Sequence, residues 1–169
     1  MLTVEDGTGL ENAESYESVA NADIYAAAFG RTEFLTLDTT AKEVRLRKAT
    51  RYIDAWYTPR GCALAPLQGL SHPRGHLYVN HALVDGLYRG VRQACCELAT
   101  YPGLPELFPE AIAANLKSRS RELEGIKKKD EYFEGTTVPR FRQAEGYLAP
   151  VTEGSMSSGI SFGRIIGSL

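Results

Sequence analysis

Three histidines and a cysteine come nearest to chemistry in this chain. His72, His76 and His81 follow Cys62, and a His-x3-His spacing is one that zinc accepts. A structural zinc site also needs a second close ligand pair. Here the residues fall in a stretch broken by Pro59, Pro66 and Pro73. We read them as ordinary loop histidines and expect no metal and no cofactor. Cys95 and Cys96 are adjacent, about 100° apart on a helix. Cys95 falls on an apolar stripe and reads as a buried structural thiol. Two adjacent cysteines plus one distant one form no disulfide framework. The chain has no Gly-rich phosphate loop, no Gly-x-Ser-x-Gly elbow and no His-Glu-x-x-His. No catalytic residue is assigned, and an enzyme is not expected.

Nucleic-acid binding has two candidate clusters. Tyr52, Trp56 and Tyr57 lie near Arg51 and Arg60, the combination of stacking rings and cations that a single-stranded DNA groove uses. Tyr52 and Trp56 also belong to a helical apolar stripe, and packing in the core is the simpler use for them. Lys127, Lys128 and Lys129 read as a solvated turn unless many copies face a common channel, where they become possible DNA-channel residues. The net charge of −2 argues against a free-standing nucleic-acid binder. The charge is also unevenly placed. Residues 1–38 carry Glu5, Asp6, Glu11, Glu14, Glu17, Asp23, Glu33 and Asp38 against Arg31 alone; residues 42–60 carry Lys42, Arg45, Arg47, Lys48, Arg51 and Arg60 against Glu43 and Asp54. Such asymmetry can steer identical subunits head to tail. The expected subunit interface pairs Glu11, Glu14 and Glu17 of one copy with Arg47, Lys48 and Arg51 of the next. The alternative is two neighbouring solvated faces.

These residues need elements to position them. With 169 residues, 43% of them apolar, the chain can build one domain with arms. Residues 1–17 read as extended. A first helix starts at the N-cap Ser18 and ends at Gly30. Leu46, Ala49, Ile53 and Trp56 form one stripe on a second helix, with Thr40 to Glu43 as a capping box and Asp38 as a rival cap. Residues 58–84 form a long loop with a short hairpin over Leu77–Val79 and Ala82–Val84, turning at Asn80-His81. Leu87, Val91, Ala94, Cys95, Leu98 and Tyr101 mark a third helix from about Asp85. A shorter helix is expected from Pro109 to Leu116, a loop or irregular hairpin over 117–140, and a last short helix from Arg140 to Leu148. The predicted class is all-α: a bundle of about four helices spanning residues 1–148, with extended arms and a flexible tail at 149–169. Leu46, Ile53, Trp56, Val91, Cys95 and Leu98 are the predicted core.

The tail is the strongest sign of a partner. Gly154 to Gly159 is a flexible spacer that buries little against a large entropy loss. Ile160, Phe162, Ile165, Ile166 and Leu169 follow it, with Arg164 among them. Burying five such side chains yields roughly 8–12 kcal/mol gross, at about 2 kcal/mol each. That suits docking into another protein; the alternative is fold-back onto the chain's own domain. No apolar run reaches membrane-spanning length, and the acidic start Glu5-Asp6 is unlike a signal peptide. A soluble protein made in the cytoplasm, without membrane contact, is expected.

An ordered series of segments resembles a family of tailed-bacteriophage neck proteins: Thr3 to Tyr16, Val19 to Tyr25, Leu46 to Asp54 and Arg92 to Ala99. Ser71-His72-Pro73-Arg74 extends it, with His72 where that family carries Trp-Pro-Arg. The likeness covers roughly residues 1–100. It implies a head-to-tail adaptor, or head-completion protein: a structural virion protein in the neck between capsid and tail. Such subunits form a ring, commonly a dodecamer, beneath the portal protein. The next neck or tail-completion protein joins below, and genomic duplex DNA passes through the lumen without sequence-specific contact. On this reading Ile160, Phe162, Arg164, Ile165, Ile166 and Leu169 form the portal-docking tail. Some relatives are labelled DnaT-like single-stranded DNA-binding proteins, so the alternative implied is a replication protein.

Overall fold

A computed structural model describes residues 1–102 and 141–153, together with the backbone of 118–123 and 126–131. The helices are α1 (Val19–Ala28), α2 (Thr32–Leu35), α3 (Thr39–Trp56), α4 (Arg89–Thr100) and α5 (Arg142–Leu148), the last running into a 3-10 turn at Ala149–Val151. Between them lie β1 (Cys62–Ala63), β2 (Arg74–Gly75), β3 (Tyr78–Val79), β4 (Ala82–Leu83), β5 (Ser118–Leu123) and β6 (Ile126–Glu131). They pair as three two-stranded antiparallel sheets, β1–β2, β3–β4 and β5–β6. The class is therefore mixed rather than all-α. Helices carry the core; the hairpin expected about Asn80-His81 forms, and β1–β2 adds a pairing within the long loop.

Local chemistry explains the boundaries. The Ser18 hydroxyl accepts from the Asn21 N–H at 3.2 Å and starts α1. At its far end the Arg31 N–H closes on the Ala26 carbonyl at 2.8 Å and that of Gly30 on Ala27 at 3.4 Å, the paired bonds of a Schellman ending. Asp38 caps α3 by accepting from the Ala41 N–H at 2.6 Å, so it prevails over the Thr40 capping box. α4 starts at Arg89, not Asp85. Gly86 sits at φ +73°, in left-handed backbone that no right-handed helix continues through. The hairpin at Asn80-His81 has both turn residues left-handed, at φ +51° and +66°, as a two-residue turn between twisted strands requires. It joins Tyr78 to Leu83 and Val79 to Ala82.

The core forms where α3, α4 and α5 pack, with α1 closing one side. Ala22 and Ala26, one turn apart on α1, are fully buried; their small side chains let the backbones approach. At Gly90 the approach is closer still, since a Cβ there would lie 2.4 Å from the Tyr147 carbonyl oxygen of α5. Leu46, Ile53, Val91, Cys95 and Leu98 are buried as the stripes demanded. Trp56, expected in the core, is only half-buried and packs at its edge. Replacing Ile53 or Leu98 by Ala should cost about 2–5 kcal/mol in urea unfolding, through lost burial and the cavity left behind.

Two boundaries differ from expectation. Val151 is fully buried, Thr152 bridges to Pro59, and the Glu153 N–H donates to the Thr58 carbonyl at 2.8 Å. The packed domain thus continues past residue 148. Over 117–140, a regular hairpin pairs Ser118–Leu123 with Ile126–Glu131. The helix expected at Pro109–Leu116 lies outside the described residues.

Candidate functional site

α3 faces two ways. Leu46, Ala49 and Ile53 point inward, while Arg47, Arg51, Asp54 and Ala55 wall a cleft of about 500 Å³. Ala13 and Glu14 of the N-terminal arm form its second wall, and Gly69 and Leu70 of the long loop its third. Two carboxylates and two guanidiniums share this space, so it suits a ligand with both charges or a protein segment better than a polyanion.

The arm is held there by a buried carboxylate. Glu5, fully shielded from solvent, accepts from the N–H groups of Gly7 and Gly9 at 2.9 Å on one oxygen and from that of Leu10 at 2.9 Å on the other. The arm it organises reaches the long loop, where the Gly69 N–H donates to the Leu10 carbonyl at 3.0 Å. Further along, the Glu5 and Ser15 backbones bond at 2.8 Å.

A polar network floors the cleft. The hydroxyls of Tyr16 and Ser71 both donate to one oxygen of Asp54, and the Ser71 N–H reaches the other at 3.3 Å. The Tyr16 oxygen accepts from the His72 N–H at 3.1 Å. Arm, α3 and loop therefore meet at one carboxylate. Burial pushes the Asp54 carboxyl above its ordinary range despite these donors. Burial and then the Asp54 charge raise the Tyr16 phenol, which stays protonated.

His72 stands edge-on to the Tyr16 ring at 6.0 Å and is 1% exposed. Its Nε2 is buried with no partner among the described residues. Burial, with the Arg74 charge adding to it, pushes the imidazole down to about 4. Unfolded, His72 takes a proton below about 6.5; folded, it resists until about 4. Stability is therefore lost as pH falls through that window, by up to about 3 kcal/mol from this group alone. Asp54, raised, works in the opposite direction. Urea unfolding of the parent and of His72→Phe between these pH values should show a shallower acid loss in the variant.

The interface residues are divided. Arg47 bonds to Glu14 at 3.0 Å and to Glu43 at 3.4 Å inside its own chain. The Arg47 bond holds the Glu14 carboxyl below its usual range, and Glu14 in turn raises the guanidinium. Glu17 is buried, accepting from the Ser18 N–H and the Asn21 amide at 2.9 Å, with Arg92 at 3.8 Å. The acid-to-base pairing expected between copies is thus made within one copy by Glu14 and Arg47. Glu11, Lys48 and Arg51 remain exposed. Lys127, Lys128 and Lys129 lie on β6, in register with Glu122, Arg121 and Ser120. Ile160, Phe162, Arg164, Ile165, Ile166 and Leu169 lie outside the described residues. Among the described residues, no group of His, Cys, Asp and Glu is placed to hold a metal.

Two of the three aromatic candidates, Tyr52 and Tyr57, turn inward, and Trp56 is half-buried. Tyr52 is buried and packs edge-on to Phe141 at 5.5 Å, with the Trp56 and Tyr57 rings each 6.2 Å away. Cys95 is buried beside the Thr50 hydroxyl at 3.5 Å, and burial pushes its thiol up to about 11.

These features define a small mixed helical domain whose N-terminal arm and long loop enclose a charged cleft on one helix. A family described as "Putative DnaT-like ssDNA binding protein" matches residues 1–165, and the chain belongs to that family. No curated protein and no solved structure matches the chain.

Proposed function

We propose that this chain is a structural assembly subunit: a head-to-tail adaptor that forms a ring under a phage portal protein, in the neck of the virion. One observation carries the choice between this and DNA binding. Of the three rings that would stack bases, Tyr52 and Tyr57 are buried among other aromatics and Trp56 is half-buried against the core, instead of lying open beside Arg51 and Arg60. The cleft next to them holds Glu14 and Asp54 as well as arginines, a poor seat for a phosphate backbone. The resemblance of residues 1–100 to neck proteins supports the same reading. Genomic DNA then passes through the lumen without specific contact, and Lys127, Lys128 and Lys129 are candidates to face it.

The family description favours a second reading, a single-stranded DNA-binding replication protein. The exposed Arg51 and Lys48 are its best support. Two measurements on the full chain separate the readings: electron microscopy of the protein mixed with purified portal, and anisotropy of a labelled oligo-dT across a salt series. Ring density on the portal, with DNA binding that vanishes by physiological salt, is the expected result. Tight, salt-resistant oligo-dT binding without portal attachment would replace the first reading by the second.

A further inference from the structure

The cleft on α3 has one open valence. Arg47, Arg51 and Ala55 recur every fourth residue along α3, so they share one face of the helix. Of the charged side chains that line the cleft, three are engaged. Arg47 donates to Glu14 and Glu43. Glu14 also accepts from the Thr3 N–H at 3.1 Å. Asp54 takes the hydroxyls of Tyr16 and Ser71 and the Ser71 N–H. Arg51 is exposed and, among the described residues, has no hydrogen-bond or ion-pair partner.

The walls decide what can reach it. Ala13, Ala55, Gly69 and Leu70 supply an apolar lining to a space of about 500 Å³, within the span of roughly 300–1,000 Å³ that ligand pockets occupy. These walls are held before anything binds: Glu5 fixes the arm, and Asp54 ties Tyr16 to Ser71 across the floor. A site already ordered loses little entropy on binding. Glu14 and Asp54 restrict the charge that enters. A run of phosphates would press several anions against these carboxylates, whereas one carboxylate meets Arg51. A guanidinium presents a planar fork that matches a carboxylate with two parallel N–H···O bonds.

We infer that the cleft takes a single carboxylate borne by a protein segment, either a glutamate side chain or a free C-terminus, with Arg51 as its fork and Ala13, Ala55 and Leu70 against its apolar stem. The site is the same whether the domain is an adaptor or a DNA-binding protein. Arg47 and Arg51, one turn apart, divide the work: the first holds the arm and the second meets the partner.

Three tripeptides test the site on the full chain by proton–nitrogen correlation spectra that include the arginine Nε–H groups. One is Leu-Glu-Leu with acetyl and amide ends, the second is Leu-Gln-Leu with the same ends, and the third is acetyl-Leu-Gln-Leu with a free C-terminus. Saturable shifts at Ala13, Arg51, Ala55 and Gly69 are expected at millimolar peptide from the first, the third or both, and none from the second. Shifts from the first alone assign a glutamate side chain, and from the third alone a chain end. Arg51→Gln should weaken binding by about tenfold or more, because charge-assisted hydrogen bonds are lost. Arg51→Lys, which keeps the charge without the fork, should fall between. Arg89→Gln removes the same charge from α4 and should bind as the parent does. Arg51 is exposed, so each variant should melt with the parent; if one does not, the Arg51 Nε–H shift in the parent decides. No saturable shift from either acid, equal binding of the neutral peptide, or an equal loss in Arg89→Gln would each overturn the site. So would displacement of bound peptide by oligo-dT at physiological salt. Portal attachment, seen or not, leaves these outcomes unchanged.

Discussion

Glu5→Ala is expected to destabilise the domain by about 3–5 kcal/mol, since a shielded N–H left without a partner costs about 1–3 kcal/mol and water relieves only part of that at part-buried groups. One carboxylate satisfies three such groups, on Gly7, Gly9 and Leu10. An alanine satisfies none. Glu5→Gln should fall between, losing about 1–2 kcal/mol, because one of its two acceptor oxygens becomes a donor facing an N–H. The arm should also loosen from the long loop, since the Leu10–Gly69 bond follows the Glu5 cradle, and the cleft would lose a wall. Urea unfolding checks the energy, and hydrogen exchange at Gly7, Gly9 and Leu10 checks the site. A loss below about 1 kcal/mol for Glu5→Ala would show that the cradle is not what holds the arm.

What the residues revealed on their own was mostly periodic. The α3 and α4 stripes, the Ser18 cap and the Asn80-His81 turn each rest on neighbours in sequence, so local chemistry exposes them. The polar centre did not show. Asp54 meets Ser71 and Tyr16 across 17 and 38 residues, and no spacing rule connects an arm, a helix and a loop. Glu5 looked like one acid among eight, although it is fully buried as the arm's cradle. His72 read as an ordinary loop histidine, yet it is buried. The same limit affected the charge argument. Acidic and basic blocks were recognisable, but whether Glu14 meets Arg47 within a chain or between chains depends on how the arm folds back.

On the proposed adaptor reading, that division of the charges shifts the weight of assembly onto the tail. Arg47 and Glu17 are engaged inside the subunit, and an exposed pair contributes about 0–1 kcal/mol. Apolar burial is the larger reserve. Deleting residues 154–169 should therefore change melting by no more than a few degrees, since the packed domain closes at Thr152 and Glu153, while abolishing attachment to DNA-filled heads. The proposed ring would engage many tails at once, so each would need only a modest net gain for the sum to be decisive. Sedimentation with purified heads reads attachment, and a thermal melt reads the fold. Truncated protein that melts normally and still completes particles would remove the tail from the docking role and return it to the subunit surface.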